Sequence, residues 1–508
     1  MINWLLHKAI ALPLKARRRR LDYLLRNPLV AQRAVWQMLM DRGRRTVYGK
    51  DHRFDQIRTP QDFAKLPIQP YESLYPYIER ALKGESNILW PGRVQWFAKS
   101  SGTTNDRSKF IPITWESLHY THLRGAKDLT ATYLLTHANS RVFAGKSLGI
   151  GGSHEIGRYG AHARTGDLSA VLIQNLPFIY DKMRAPSRQI ALLGDWEQKL
   201  ELMARETIHD NITSIMGVPT WTQVLAERIL QLTGKNHLHE VWPNLELFYH
   251  GGIAFGPYRE RFQQLMPAHS MTFMEVYNAS EGFIAFQNDQ SSGDLWLQVD
   301  HGIYYEFLPV DAGPSAEAVP LEGIQTGVNY ALVISTVSGL WRYLIGDTVR
   351  FTSTDPYKLM ITGRTRHFIN AFGEELMVEN ADAALAKVCA ATGAIVRDYT
   401  AGPRYLSAGQ SGAHEWIIEF QVPPADVKQF GRQLDEELRK LNGDYDAKRS
   451  HDIILAPLIL HQAPEGTFYR WMKSRGKLGG QNKVPRLSNE REYLDGLLAD
   501  IYAEPQTR

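Results

Sequence analysis

Apolar residues recur along this chain with periods that change with position. Over residues 1–50, leucines and tryptophans fall at mixed three-to-four spacing, which predicts helices. Pro60, Pro67, Pro70 and Pro76 then punctuate a stretch of loops and short helix. Residues 94–98 read as a strand, and residues 114–137 as a long helix with Thr114 as its N-cap. Residues 145–160 are glycine-rich and end in a turn. Next come helices over 197–210 and 221–232 and buried strands over 213–217, 245–249 and 272–276. The last two strands stop at His250-Gly251-Gly252 and at Tyr277-Asn278. Such alternation predicts parallel α/β layers. Residues 295–299, 303–309 and 330–335 resemble hairpin strands and predict antiparallel pairing.

The pattern changes again near residues 363–373. Beyond it lie a helix over 378–391, strands over 394–399 and 415–421, a charged helix over 424–441, then strands and loops to Lys483. This is an α+β unit of roughly 135 residues, a normal domain size. The expected organisation is a basic helical segment at 1–50 packed on a large domain at 51–365, followed by a small domain at 371–508.

Composition adds three constraints. Apolar residues make up 44% of the 508, enough for a large core. Cys389 is the single cysteine, so no disulfide forms within the chain, in keeping with a reducing cytoplasm. The net charge of +4 conceals a segment, residues 1–53, that alone carries +10, leaving −6 for the rest. Its apolar stretch precedes its arginines, the reverse of a secretory signal. That segment is either a helix with a solvated basic face, its leucines packed beneath, or an arm that touches anionic surfaces.

Two familiar catalytic signatures are missing: the chain has no GxxxxGK and no HExxH. His237 and His239 flank Leu238 without further ligands around them and read as surface histidines. Four stretches remain. Ser100-Ser101-Gly102-Thr103-Thr104, with Lys109 beyond, is either an anion-holding turn or an ordinary surface loop. Gly251-Gly252 leaves bare backbone against which a flat ring can lie, or is a tight strand-to-helix turn. Tyr277, Ser280 and Glu281 offer a ring to stack on a base and a carboxylate for Mg²⁺, or form a capped helix start. Asp347 follows a glycine, where a carboxylate can accept from both ribose hydroxyls, or sits in a plain turn between strands.

Taken in order, these stretches resemble the adenylate-forming superfamily of acyl-CoA synthetases, adenylation domains and luciferases. Within it the chain is similar to the Gretchen Hagen family of acyl acid–amido synthetases, in a shorter, prokaryote-like form. The matching residues are Ser100 to Thr103, the run Arg342-Tyr343-Leu344-Ile345-Gly346-Asp347, and Gln481-Asn482-Lys483-Val484-Pro485-Arg486 near the C-terminus. Gly363-Arg364, followed by Gly373-Glu374-Glu375, stands where the superfamily has its interdomain hinge. Asn105 replaces a glycine usual in acyl-CoA synthetases, and Asn278 stands where the family has a small residue.

The resemblance implies a large α/β domain with layered sheets, a smaller mobile α+β C-terminal domain, and ATP and Mg²⁺ as cofactors. It implies that Ser100, Ser101, Gly102, Thr103 and Lys109 hold phosphates. Gly251, Gly252 and Tyr277 would frame the base, Asn278, Ala279 and Ser280 would belong to the ATP site, Glu281 would hold the metal and Asp347 the ribose. Arg364 would lie at the hinge beside the nucleotide, and Lys483 would be catalytic. The expected partners are a carboxylic acid and an amino acid, not nucleic acid, with weak membrane-surface contact through the basic segment. Phe178, Tyr180, Tyr159 and Trp221 either wall an acyl pocket or belong to the core. An acyl-CoA ligase with the same first step, and a nucleotide-binding scaffold with a basic arm, are the alternatives.

Overall fold

A computed structural model describes residues 10–100, 109–151, 156–252, 255–310, 316–364, 368–369, 371, 374, 376–404, 412–442, 445–446, 449, 455–475, 484–488 and 490–502. Its strands are β1 (Trp96–Ser100), β2 (Lys109–Ile113), β3 (Lys146–Gly149), β4 (Gly157–Tyr159), β5 (Ala163–Gly166), β6 (Arg184–Ala185) and β7 (Ile212–Gly217). Then come β8 (Leu247–Gly251), β9 (Thr272–Ala279), β10 (Gly282–Phe286), β11 (Leu295–Leu297), β12 (Ile303–Pro309), β13 (Val319–Pro320) and β14 (Asn329–Thr336). The last are β15 (Tyr343–Thr354), β16 (Tyr357–Arg364), β17 (Phe368–Ile369), β18 (Leu376–Met377), β19 (Ile395–Arg404), β20 (Ala413–Val422) and β21 (Ile459–Ala463).

Twelve strands form the main sheet, in the order β13-β12-β14-β15-β16-β11-β10-β9-β8-β7-β3-β6. Pairing is parallel from β6 through β3, β7 and β8 to β9, and antiparallel from β9 onward. The change falls on β9, parallel to β8 on one edge and antiparallel to β10 on the other. The predicted switch from alternating βα units to hairpins is thus present, and its seam lies at the candidate site. A second sheet, β2-β1-β5-β4, carries the Ser100 and Lys109 ends of its first two strands side by side.

Some boundaries differ from expectation. The strand expected to stop at Tyr277 runs to Ala279 and turns through Ser280-Glu281 into β10, so the helix start considered there does not form. The helix beginning near Thr114 is capped as expected, Thr114 Oγ1 accepting from the Ser117 N–H at 3.0 Å. Its first full turn, Ser117–His122, is a π-helix. The wider turn carries both Thr121 and His122 inward. Thr121 donates to the His301 carbonyl at 2.6 Å, and His122 Nδ1 lies 3.2 Å from Asn278 Oδ1.

The described part of the basic segment keeps a solvated face, with Arg18 and Arg19 exposed, and also clasps the large domain through Arg17 and Arg20. Leu21 and Leu24 are buried as expected, whereas Leu12 is exposed. Arg17 pairs with Asp128 and Arg20 with Asp300, both carboxylates being buried, and Arg124 adds a second contact to Asp300. His301 Nε2 stands 3.1 Å from Asp128 Oδ2. Burial works against ionising Asp128, but the bonds from His301 and Arg17 outweigh it and hold the carboxyl below its usual range. The three acidic and histidine groups sit close enough to suit a metal, yet the arginines already balance their charge. Among the described residues, no helix is long and apolar enough to cross a membrane.

Past β16 the apolar clusters change membership. Ile369, Leu376, Leu385, Trp416, Leu434 and Leu438 belong to a core separate from the one reaching from Ala11 to Leu359. It is built from β19-β20-β21 with the helices Val378–Thr392 and Val427–Leu441 across it. The stretch expected to hold strands and loops also contains the helix Thr467–Ser474, and Glu492–Tyr502 is helical beyond it.

Candidate active site

The β9–β10 hairpin sets the rim of the site. Tyr277 and Glu281 are buried, and Ser280 Oγ is buried with no hydrogen-bond partner among the described residues. Asn278 is exposed and tied to His122, a residue the sequence did not single out. Burial lowers the His122 pKa to about 4, so its ring is neutral at pH 7. On the neighbouring strand, a Cβ on Gly251 would stand 2.2 Å from the Val276 carbonyl oxygen. That glycine therefore has a packing reason of its own, the close approach of β8 to β9.

Asp347 reaches the same place from the antiparallel half. It was expected after a turn or at a strand end, but it lies inside β15. The register with β14 slips between Ala331 and Val333, so Ile345, Gly346 and Asp347 bulge outward. Gly346 has φ +94°, a conformation that costs other residues dearly. Such a bulge re-aims a side chain. Here Asp347 accepts from the Tyr277 hydroxyl at 2.5 Å, although the two lie 70 residues apart in sequence.

Arg342, five residues earlier in the same motif, does something else. It is buried, with Nε and Nη2 donating to the two Glu306 oxygens at 2.9 Å each. Nη1 donates to the carbonyls of Ala64 and Leu66. The residue fastens the loop after the helix Pro60–Ala64 to the sheet. Burial pushes the Glu306 carboxyl up while Arg342 draws it down.

Lys109 opens β2, its Nζ 3.3 Å from the Tyr343 hydroxyl and 5.4 Å from the centre of the Tyr71 ring. Tyr71 accepts from the Phe110 N–H at 2.7 Å. Burial pushes the Tyr71 phenol upward, and the Glu281 charge adds to that. Lys109, Tyr71, Tyr343 and Glu281 are thus one neighbourhood, and no local motif marked Tyr71 as part of it. Of Ser100 and Arg364 only the backbone is described; Arg364 pairs in register with Asp347. Ser101, Gly102, Thr103 and Lys483 lie outside the described residues. Of the aromatic residues considered for an acyl pocket, Phe178 is 77% exposed, whereas Tyr159 packs against Phe110 at 6.0 Å.

Beside Tyr277 on β9, two positions earlier, stands Glu275. Burial pushes it up to about 7, with Arg259 pulling the other way and Asp382 adding to the rise. Its register partner on β8 is His250, buried, stacked on Phe255 at 3.8 Å and lowered to about 3 by burial.

Known proteins resemble this chain over nearly its whole length. Residues 17–271 match the GH3 family N-terminal domain, 296–364 its central domain and 379–492 its C-terminal domain. Indole-3-acetic acid-amido synthetase GH3.4 of Arabidopsis thaliana is 23% identical over 96% of this chain and 94% of its own length. The 4-substituted benzoates-glutamate ligase GH3.12 of the same plant is 21% identical over 86% of this chain and 89% of its own. The structure of AtGH3.15 acyl acid amido synthetase in complex with 2,4-DB superposes with a TM-score of 0.80 at 18% identity, covering 96% of each chain. A 2-hydroxyisobutyryl-CoA ligase superposes with a TM-score of 0.58 at 13% identity, over 94% of this chain and 92% of its own. Half of this chain matches the N-terminal domain alone, and the chain belongs to the GH3 family.

Proposed function

We propose that the chain is an ATP-dependent, AMP-forming ligase that joins a carboxylic acid to the amine of an amino acid. The Tyr277–Asp347 bond beside Glu281 carries this proposal, since it gathers an aromatic ring and two carboxylates on one rim. The names of the plant relatives support an amide product.

A carboxylate acylates poorly because oxide would have to leave. Attack of a carboxylate oxygen on the α-phosphorus of ATP expels pyrophosphate and gives a mixed anhydride. The amine nitrogen then attacks the acyl carbon, AMP departs with the anhydride oxygen, and the nitrogen loses a proton. Placement and charge stabilisation account for most of such catalysis. In this proposal Lys109, steadied by Tyr71 and Tyr343, joins Ser100, Ser101, Gly102 and Thr103 in holding phosphates. Gly251, Gly252 and Tyr277 frame the base, residues 278–280 belong to the ATP site, Asp347 receives the ribose hydroxyls, and Arg364 adjoins the nucleotide at the hinge. Glu281 suits Mg²⁺, and the buried Ser280 Oγ next to it, unpartnered among the described residues, fits a polar ligand there. When bound, Mg²⁺ neutralises phosphate charge. Lys483 approaches the α-phosphate from the C-terminal domain, which swings between the two half-reactions.

The test is acceptor choice. With an acid that supports adenylation, amino acids should speed AMP release and yield an amide, while CoA should not. Release driven by CoA alone would make the chain an acyl-CoA ligase instead.

A further inference from the structure

Between the main sheet and the C-terminal part lies a buried polar network outside the rim just described. On the large side it begins at the turn Gly256–Tyr258, whose tyrosine is buried. The Tyr258 hydroxyl donates to the Arg397 carbonyl on β19 at 3.1 Å and accepts from Arg486 Nη2 at 2.6 Å. The rest of that guanidinium is committed to the C-terminal side. Nη1 donates to Asp398 Oδ1 and to the Tyr399 carbonyl, and the group lies 4.6 Å over the Tyr399 ring. Tyr399 in turn donates to Asp382 at 2.6 Å.

The backbone around Arg486 is fixed to the same strand. The Ala401 N–H donates to the Arg486 carbonyl at 2.9 Å, and the Ser488 N–H donates to the Ala401 carbonyl at 3.1 Å. The Thr400 hydroxyl donates to the Pro485 carbonyl at 2.6 Å. Leu487 is buried in the core beneath. A guanidinium presents its N–H groups in a rigid plane. With one edge held by Asp398 and Tyr399, its direction toward Tyr258 is set, so the bond forms in only a narrow range of seatings. Lys483 lies three residues before Arg486, within about 11 Å of it even at full extension.

We propose that Tyr258 is a positioning residue: its hydroxyl keys Arg486, and the chain leading to Lys483, to the large domain for the first half-reaction. The catalytic part rests on the adenylate-forming function proposed above; the structural part does not. Neither residue need touch substrate.

Tyr258→Phe keeps the ring and removes the hydroxyl. Hydrogen exchange in residues 395–404 and 484–488 should quicken. ATP–pyrophosphate exchange should lose kcat by about ten-fold at unchanged KM for ATP, as fits one hydrogen bond to a charged group. Amide formation from a supplied acyl-adenylate should be spared. Arg486→Lys, whose point charge cannot serve Asp398, the Tyr399 carbonyl and Tyr258 together, should shift the same readouts the same way. Unchanged hydrogen exchange in both variants, or equal losses in the two half-reactions, would overturn the proposal. If the wild type exchanges pyrophosphate with no acid, the function proposed above has failed, and hydrogen exchange alone decides whether Tyr258 keys the two parts together.

Discussion

The two halves of the main sheet bring different things to the seam at β9. The parallel half ends at β8 in backbone pressed so close that Gly251 has no room for a side chain. The antiparallel half supplies carboxylates: Glu281 from a hairpin turn and Asp347 from a bulge. Strand ends of a parallel array align at one edge of a sheet, so they offer bare N–H groups there. Hairpins and bulges can put a charged side chain at any depth. A site for a flat, multiply charged ligand needs both, and the change of strand direction is where one fold provides both. The contrast extends inside one motif. Arg342 holds the antiparallel half together, while Asp347, five residues on, faces the seam.

That contrast is breakable. Arg342→Met should strand the buried Glu306 and cost about 3–5 kcal/mol of stability, the usual result of removing one partner of a buried pair. Urea denaturation measures it, and adding Glu306→Leu should return most of the loss. A variant as stable as the wild type would mean that Arg342 is not a fastening.

Asp347→Ala and Glu281→Ala should behave in the opposite way. Each should lose roughly 30- to 1,000-fold in ATP–pyrophosphate exchange, about 2–4 kcal/mol of barrier, while still melting as a folded protein. Wild-type exchange rates in a folded variant would move the site elsewhere.

Glu275 sharpens the comparison through pH. Its carboxyl is pushed up to about 7, chiefly by burial. The folded state therefore holds that proton more tightly than the unfolded one. Stability falls as pH rises from the unfolded value toward 7, by at most about 3 kcal/mol. Glu275→Gln should flatten thermal stability between pH 5 and 8 relative to the wild type. An unchanged slope would show that the carboxyl ionises freely.

Gly251→Ala tests the parallel side with the smallest effect. Its Cβ would meet the Val276 carbonyl, so β8 and β9 must part slightly, at about 1–3 kcal/mol. A melting temperature equal to the wild type would mean the strands yield without penalty.

Much of this was legible in the sequence because it is local. The alternation over 197–276, the hairpin character after 295 and the motif residues Gly251, Tyr277, Glu281 and Asp347 all announce themselves within a few positions. What escaped is long-range. Arg17 and Arg20 read as a solvated basic run because nothing nearby names Asp128 and Asp300, their partners 111 and 280 residues away. Tyr71 carries no motif and joins the site through Phe110 and Lys109, 39 residues away in the first case. The Ser280-Glu281 turn has the residues of a helix cap, and only the pairing of β10 with β9 makes it a hairpin.

The central claim is that the seam binds ATP and passes AMP to a carboxylate. ATP–pyrophosphate exchange over a panel of carboxylic acids tests it most directly, because exchange reports the first half-reaction with no amine present. The account predicts exchange that depends on one class of acid and on Mg²⁺ and collapses in Asp347→Ala. Exchange that survives in Asp347→Ala, or a folded wild type that exchanges with no acid at all, would contradict it.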